Sequence, residues 1–265
     1  MNAHELEQLV LPILADVSSP KFKENLKEIE KNAPPPISGE FDTSLASIID
    51  HTILKPEATL DQILRICDEA LEYRFASACI NPSFVPPVVI KLKNSGVKTC
   101  TVIGFPLGAS SIKSKQKETE IAIEEGASEV DMVISIGMLK SKEIPYVFDD
   151  ISSVVSSAML NKVLTKVIIE TTLLTDEEKV IACILAQKAG ADFVKTSTCF
   201  AKGGATMADI ALMRRTIGSK MGIKASGGVR TRDQAYQLIS AGATRIGAST
   251  SIQLVLGKPQ QTSVY

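Results

Sequence analysis

The sequence is poor in the residues that build metal centres and disulfide frameworks. Its 265 residues include no tryptophan, two histidines and five cysteines. The cysteines are odd in number and form no C-x-x-C pair; they are Cys67, Cys79, Cys100, Cys183 and Cys199. Structural zinc sites need clustered cysteine and histidine ligands, and disulfide frameworks need paired cysteines. We therefore expect free thiols, as in a reducing cytoplasm, and neither a metal nor another cofactor.

The chain also lacks a strong charge of either sign and a long apolar run. Its net charge of −1 gives no general attraction to nucleic acid. No stretch approaches the roughly 20 apolar residues that a membrane span needs. The N-terminal run Leu9–Ala15 is short and ends at Asp16, unlike a secretory signal. We expect no nucleic-acid or membrane partner and a cytoplasmic location.

The composition is that of a globular protein with a large core. It is 45% hydrophobic and 22% charged, and 265 residues suit one large domain better than two. Apolar residues between Leu6 and Leu14 recur at helical spacing, and Pro34-Pro35-Pro36 then breaks the chain. We expect this helix to pack on the domain or on a second subunit. The predicted parts are a helical extension with its linker (1–40), a main domain (41–256) and a flexible tail (257–265).

Short apolar runs alternate with amphipathic helical segments from about residue 44. The eight runs are Ser47–Ile53, Phe75–Ile80, Lys98–Gly104, Glu129–Ile134, Lys166–Glu170, Asp192–Lys195, Gly222–Ala225 and Arg245–Ala248. The helical segments are Leu60–Tyr73, Pro87–Asn94, Lys113–Glu125, Ile144–Leu160, Asp176–Lys188, Met207–Ile217 and Arg232–Ser240. Eight such units predict an α/β fold, a closed (β/α)8 TIM barrel. A doubly wound open sheet is the alternative, but no G-x-G-x-x-G follows the first strand.

A short internal repeat supports the barrel. A glycine, an alanine and a strand recur at Gly126, Gly190 and Gly242. The fifth residue after each glycine is Asp131, Lys195 or Gly247. The repeat therefore predicts that an acid, a lysine and a glycine lie at matching depths in three strands.

Two lysines lie at the ends of apolar runs, each shortly before a glycine pair. Lys195 follows Ala191–Val194, and Lys224 ends Met221–Lys224. Burial and a neighbouring cation both lower the pKa of a lysine, and a neutral lysine attacks carbonyl carbons. Two plainer interpretations stay open. Such lysines commonly extend into water, or Asp131 forms a structural salt bridge with either of them.

The last two strands are followed by glycine-rich loops. Gly227-Gly228 follows strand seven. Strand eight is followed by Gly247–Ser251, a segment that includes Ser249 and Thr250. Barrels commonly bind phosphate with these two loops, although glycine pairs also form simple tight turns. A reactive lysine, an acid and a phosphate anchor together suggest an aldolase that works through an imine.

Several segments closely resemble deoxyribose-phosphate aldolases. They are DHTILKP at 50–56, SEVDMVISIGMLKSK at 128–142, VIIETTLLTDEE at 167–178, ADFVKTSTCFAKGGAT at 191–206, IKASGGVRT at 223–231 and RIGAST at 245–250. The likeness covers about residues 44–256 in order. It implies a (β/α)8 barrel that reversibly cleaves 2-deoxy-D-ribose 5-phosphate to D-glyceraldehyde 3-phosphate and acetaldehyde in deoxyribonucleoside catabolism.

The resemblance also implies residue roles. Lys195 is then the Schiff-base lysine, Lys224 is the second lysine that favours its uncharged form, and Asp131 shares a proton relay with Lys224. The phosphate site comprises Gly227, Gly228, Gly247, Ser249 and Thr250, and Thr198 lies near the sugar. Tyr265 matches a terminal tyrosine that reaches the active site in some members, and a free tail is the alternative. Homodimers are frequent in the family.

Three positions depart from the family pattern. Cys199 replaces a glycine, Ser135 stands where asparagine is common, and Thr172 stands where cysteine is common. A side chain at Cys199 is awkward if the position needs a positive φ. Two other functions therefore stay open: a phosphosugar-binding or scaffold barrel with weak turnover, and a barrel isomerase that works through a carboxylate base.

Overall fold

The structure, a computed structural model, describes residues 3–31 and 41–257. Eight parallel strands close into a barrel in chain order. They are β1 (Ile49–Ile53), β2 (Ser77–Ile80), β3 (Lys98–Ile103), β4 (Glu129–Val133), β5 (Leu164–Ile168), β6 (Phe193–Lys195), β7 (Gly222–Ser226) and β8 (Arg245–Ala248). The predicted (β/α)8 barrel is confirmed, and the open doubly wound sheet is excluded.

The α-helices precede, separate and follow these strands. They are α1 (Ala3–Val17), α2 (Pro20–Lys31), α3 (Thr43–Ala46), α4 (Leu60–Tyr73), α5 (Val85–Leu92), α6 (Ile112–Glu124), α7 (Ile136–Lys140), α8 (Ile144–Leu160), α9 (Asp176–Ala189), α10 (Met207–Ile217), α11 (Arg232–Ser240) and α12 (Ser251–Leu256). None of those in the described ranges is both long and apolar enough to cross a membrane.

Capping residues set where the longer helices begin. Thr59, Thr175 and Thr231 each accept a hydrogen bond from the third residue of their helix in a reciprocal capping box. The predicted bounds of α4, α8, α10 and α11 match the observed ones. The sequence did not predict α3, α7 and α12, because four to six residues are too few to show a helical period.

Helix α1 packs against the outside of the barrel. Leu6 and Val10 are buried against Val180, Ile184 and Leu212 of α9 and α10. Of the two packing modes that we expected, the described residues therefore show contact with the chain's own domain. The predicted linker prolines and the C-terminal tail with Tyr265 lie outside the described residues, and the domain boundaries stay a prediction.

The barrel interior is built in layers. Strand side chains alternate between the interior and the helices, and alternate strands of an eight-stranded barrel contribute four side chains to each layer. The strand register gives four layers, from the amino to the carboxyl ends of the strands. They are Ser77, Glu129, Phe193 and Arg245; then Asp50, Cys100, Lys166 and Lys224; then Cys79, Asp131, Lys195 and Gly247; then Thr52, Val102, Ile168 and Ser226. Branched apolar residues usually fill such layers, whereas charged groups and thiols dominate here.

Candidate active site

Asp131 joins the two predicted lysines. Its Oδ2 atom lies 2.8 Å from Lys195 Nζ and 2.7 Å from Lys224 Nζ. Asp131, Lys195 and Gly247 share one interior layer, as the repeat predicted. Lys195 ends β6, as expected, but Lys224 is the middle residue of β7 and not its end. Lys224 therefore lies one layer deeper than Lys195.

The sequence did not predict a third lysine in the same network. Lys166 Nζ lies 2.8 Å from Asp131 Oδ1 and 2.6 Å from Glu129 Oε2. Asp50 Oδ2 lies 2.5 Å from Lys224 Nζ, and Asp50 Oδ1 lies 2.7 Å from Arg245 Nη1. Strand β5 begins at Leu164, two residues before the predicted start, so Lys166 is an interior residue of the strand. Alternation counted from the true start of the strand could have shown that it points inward.

The network keeps most of its members ionised. Burial alone would raise the pKa of Asp131, but Lys166, Lys195 and Lys224 outweigh it and hold that pKa well below its usual value. The pKa of Asp50 is lowered too, because Lys166, Lys224 and Arg245 outweigh burial. Burial lowers the pKa of Lys224, yet Asp131 and Asp50 raise it overall, and Asp131 and Asp50 do the same for Lys166.

Four cations face three carboxylates in this network. They are Lys166, Lys195, Lys224 and Arg245 against Asp50, Glu129 and Asp131. The fully ionised network therefore has one excess positive charge, and losing one lysine proton makes it neutral. Of the four cations, Lys195 lines the cavity described next.

A cavity of about 430 Å³ opens above Lys195 at the carboxyl ends of the strands. Its wall includes Thr52, Thr198, Ser226, Gly247 and Ser249, together with apolar side chains such as Leu54 and Phe200. Catalytic groups of TIM barrels lie at this end. The cavity thus combines the amines of Lys195 and Lys55, several hydroxyls and an apolar wall, which suits a small polar carbonyl compound.

The predicted phosphate loops lie side by side. Gly227 and Gly228 have φ angles of 86° and 75°, a conformation that glycine adopts without strain. Within the described chain, neither of their N–H groups donates a hydrogen bond. Thr250 donates its hydroxyl proton to the carbonyl of Val229 and so joins the two loops, and Ser249 lines the cavity. Free N–H groups of this kind suit an anion.

Thr198 and Cys199 lie in the loop after β6. Thr198 Oγ1 makes a short hydrogen bond to Glu170 Oε2, and its N–H donates to the same oxygen at 3.1 Å. Glu170 was not predicted and fixes the orientation of Thr198. Cys199 has a φ of 72°, so a cysteine occupies a conformation that favours glycine, as the departure from the family pattern suggested.

Two sets of potential metal ligands lie within the described residues. Their ligand atoms are within 4.8 Å of one another; the sets are Cys79, Cys100 and Asp131, and Asp50, Cys100 and Glu129. The carboxylates of both sets already contact lysines, which compete with any cation for the same oxygens. The absence of a metal stays a prediction.

Comparisons with known proteins give one consistent result. A sequence model of the DeoC/LacD family of aldolases matches residues 44–253. The deoxyribose-phosphate aldolase of Clostridium perfringens (strain 13) is 62% identical over 214 residues, covering 81% of this chain and 95% of that protein. That of Halalkalibacterium halodurans is 58% identical over 221 residues, covering 83% and 98%. A tetrameric deoxyribose-phosphate aldolase from Aeropyrum pernix has a TM-score of 0.78 at 31% identity, covering 88% and 96%.

Proposed function

The chain belongs to the DeoC/LacD family of aldolases, and we propose that it cleaves 2-deoxy-D-ribose 5-phosphate reversibly through an imine on Lys195. The products are D-glyceraldehyde 3-phosphate and acetaldehyde. The observation that carries the mechanism is the position of Lys195. It is the network cation that lines the cavity, and its amine lies 2.8 Å from a carboxylate in a site with one excess positive charge.

The reaction begins when the neutral amine of Lys195 attacks C1 of the open-chain sugar. The adduct loses water and becomes an iminium ion, which accepts the electron pair of the breaking C2–C3 bond. The C3 hydroxyl loses its proton as glyceraldehyde 3-phosphate leaves. The remaining enamine takes a proton at C2, and water then releases acetaldehyde and restores the amine. The reverse sequence forms the C–C bond.

The charge network suits the iminium ion. That ion bears its positive charge on Lys195 Nζ, where the lysine ammonium bears it, so Asp131 stabilises both. Lys224 contacts the same Asp131 oxygen, Oδ2, that contacts Lys195. This arrangement supports a role for Asp131 and Lys224 in moving the protons of the reaction. Lys224 also keeps its positive charge, because burial lowers its pKa less than Asp131 and Asp50 raise it.

The phosphate group is proposed to bind at the paired loops. The N–H groups of Gly227 and Gly228 and the hydroxyl of Ser249 would contact its oxygens. Thr250 would hold the two loops at the right distance, and Gly247 would leave room for the sugar. Thr198, fixed by Glu170, would face the sugar chain.

The proposal extends to the assembly, the location and the tail of the chain. A homodimer is expected. Light scattering of the purified chain would distinguish a dimer from a tetramer such as that of the Aeropyrum pernix aldolase. The cytoplasmic location agrees with five free cysteines. Replacing Tyr265 with phenylalanine would test whether the tail assists proton transfer.

Product analysis tests the proposed function. The wild-type chain should convert deoxyribose 5-phosphate to equal amounts of acetaldehyde and glyceraldehyde 3-phosphate. Lys195→Ala should form neither product while keeping its far-UV circular dichroism spectrum. An isomerised sugar phosphate, or binding without turnover, would instead support one of the two alternatives that the sequence left open.

A further inference from the structure

Ser226 has a buried hydroxyl group at the wall of the cavity. The residue is 2% exposed, lines the cavity and is the last residue of β7. Its Oγ atom has no hydrogen-bond partner among the described residues. Burying a hydroxyl without a partner is unfavourable, so such a group beside a binding cavity indicates a ligand atom as its partner.

The surrounding backbone holds this hydroxyl in place. The N–H of Ser226 donates to Thr196 Oγ1 at 3.1 Å, and its carbonyl accepts from Thr196 Oγ1 and from the N–H of Ala205, both at 3.1 Å. Gly247 provides the space in front of it. A Cβ atom there would lie 2.3 Å from Ser226 Oγ and 2.9 Å from Lys224 Cε. The backbone of Ser226 is therefore fixed, and its hydroxyl lies at the cavity wall, close to Lys224.

Two other hydroxyls of the cavity wall use their protons within the protein. Thr52 Oγ1 donates to the carbonyl of Asp50 at 2.9 Å, and Thr198 Oγ1 donates to Glu170. These two groups can accept a hydrogen bond from a ligand but have no proton left to donate. Ser226 can do both, so it is the one of the three that can donate to a substrate oxygen.

We propose that Ser226 binds the C4 hydroxyl of deoxyribose 5-phosphate and so selects substrates that carry it. This inference rests on the proposed function. Within that function C1 bonds to Lys195, the C3 oxygen exchanges a proton with the relay, and the phosphate binds at the loop glycines. The C4 hydroxyl is the remaining polar group. Ser226 lies in the layer directly above Lys195 and immediately precedes Gly227, between the two ends of the bound sugar.

The test compares two acceptors in the condensation with acetaldehyde. D-glyceraldehyde 3-phosphate carries the hydroxyl that becomes the C4 hydroxyl, and 3-oxopropyl phosphate has the same aldehyde and phosphate without it. Ser226→Ala should lower kcat/KM for the first about fivefold, the usual effect of one neutral hydrogen bond, and for the second less than about twofold. An equal loss for both acceptors, or no loss for either, would overturn the proposal.

Two controls separate a loss of the C4 hydroxyl contact from a general effect of removing a buried hydroxyl and from a loss of imine formation. Ser77→Ala removes another buried hydroxyl without a partner among the described residues, but in the deepest interior layer and away from the cavity wall. It should change neither acceptor's kcat/KM. Borohydride trapping of acetaldehyde on Lys195 should be the same in Ser226→Ala as in the wild type. If the wild-type chain itself traps no acetaldehyde, the proposed function fails rather than the role of Ser226.

Discussion

Asp131→Asn is the substitution that tests the charge network most severely. It removes the carboxylate that contacts Lys166 through Oδ1 and both Lys195 and Lys224 through Oδ2. All four residues are buried. Two carboxylates would then face four cations, so the excess positive charge would rise from one to two. The asparagine amide would also direct N–H donors at lysines that are themselves donors.

The expected losses are large in both stability and activity. Removing one partner of a buried ion pair leaves an uncompensated charge, which costs about 3–5 kcal/mol of unfolding free energy. Removing a group that moves protons costs about 10²–10⁴ in rate. Urea unfolding followed by circular dichroism measures the first quantity, and kcat for deoxyribose 5-phosphate cleavage measures the second.

Asp150→Asn is a matched control for this experiment. Asp150 and Lys115 form a fully buried ion pair at 2.6 Å outside the barrel interior, between α6 and α8. This variant should lose a similar amount of stability while its kcat stays within about threefold of the wild-type value, since it leaves the relay intact. If Asp131→Asn kept its unfolding free energy within about 1 kcal/mol, or its wild-type kcat, the network as described would be refuted.

Four further predictions concern the pH range, the catalytic network, the strained loop and the N-terminal helix. The lowered pKa of Asp131 contributes stability that is lost as pH falls below about 4, and the raised pKa of Lys224 contributes stability that is lost above about pH 10. The Tm should fall at both ends of a pH series, and a flat profile would contradict this. Lys166→Met should lower the urea midpoint and kcat, because Glu129 and Asp131 lose their shared cation; an unchanged midpoint would count against it. Cys199→Gly should raise the Tm by about 2–4 °C, since the positive φ costs a cysteine about 1 kcal/mol, and should remove the one exposed thiol that an Ellman titration of the folded chain detects. Leu6→Ala should loosen α1 by about 2 kcal/mol and expose it to limited proteolysis, and unchanged resistance would argue against the packing on α9.

The barrel and three residues of the charge network, Asp131, Lys195 and Lys224, could be predicted because the sequence patterns that indicate them are local. Alternating apolar runs gave all eight strands, and the helical spacing of apolar residues between them gave the longer helices of the barrel. The repeated glycine and alanine before three strands brought Asp131 and Lys195 to one depth, although 64 residues separate them. Cys199 was recognised as a position that favours glycine by comparison with the family motif alone.

The rest of the network was missed because inward direction depends on register around the whole barrel. Asp50 and Arg245 are 195 residues apart and meet only when β8 pairs with β1. Lys166 stood at the predicted start of its strand, where a lysine normally reaches water, and the true start two residues earlier turns it inward. Glu170 was read as part of a strand, whereas it lies in a left-handed turn that directs its carboxylate to Thr198.

The central claim is that Lys195 forms the imine, and borohydride trapping tests it most directly. The chain is incubated with acetaldehyde or deoxyribose 5-phosphate, reduced with borohydride and mapped by peptide mass spectrometry. The account predicts a reduced adduct on the peptide that carries Lys195 and its absence in Lys195→Ala. An adduct on Lys166 or Lys224 instead, or none on any lysine of the folded wild-type chain, would contradict it.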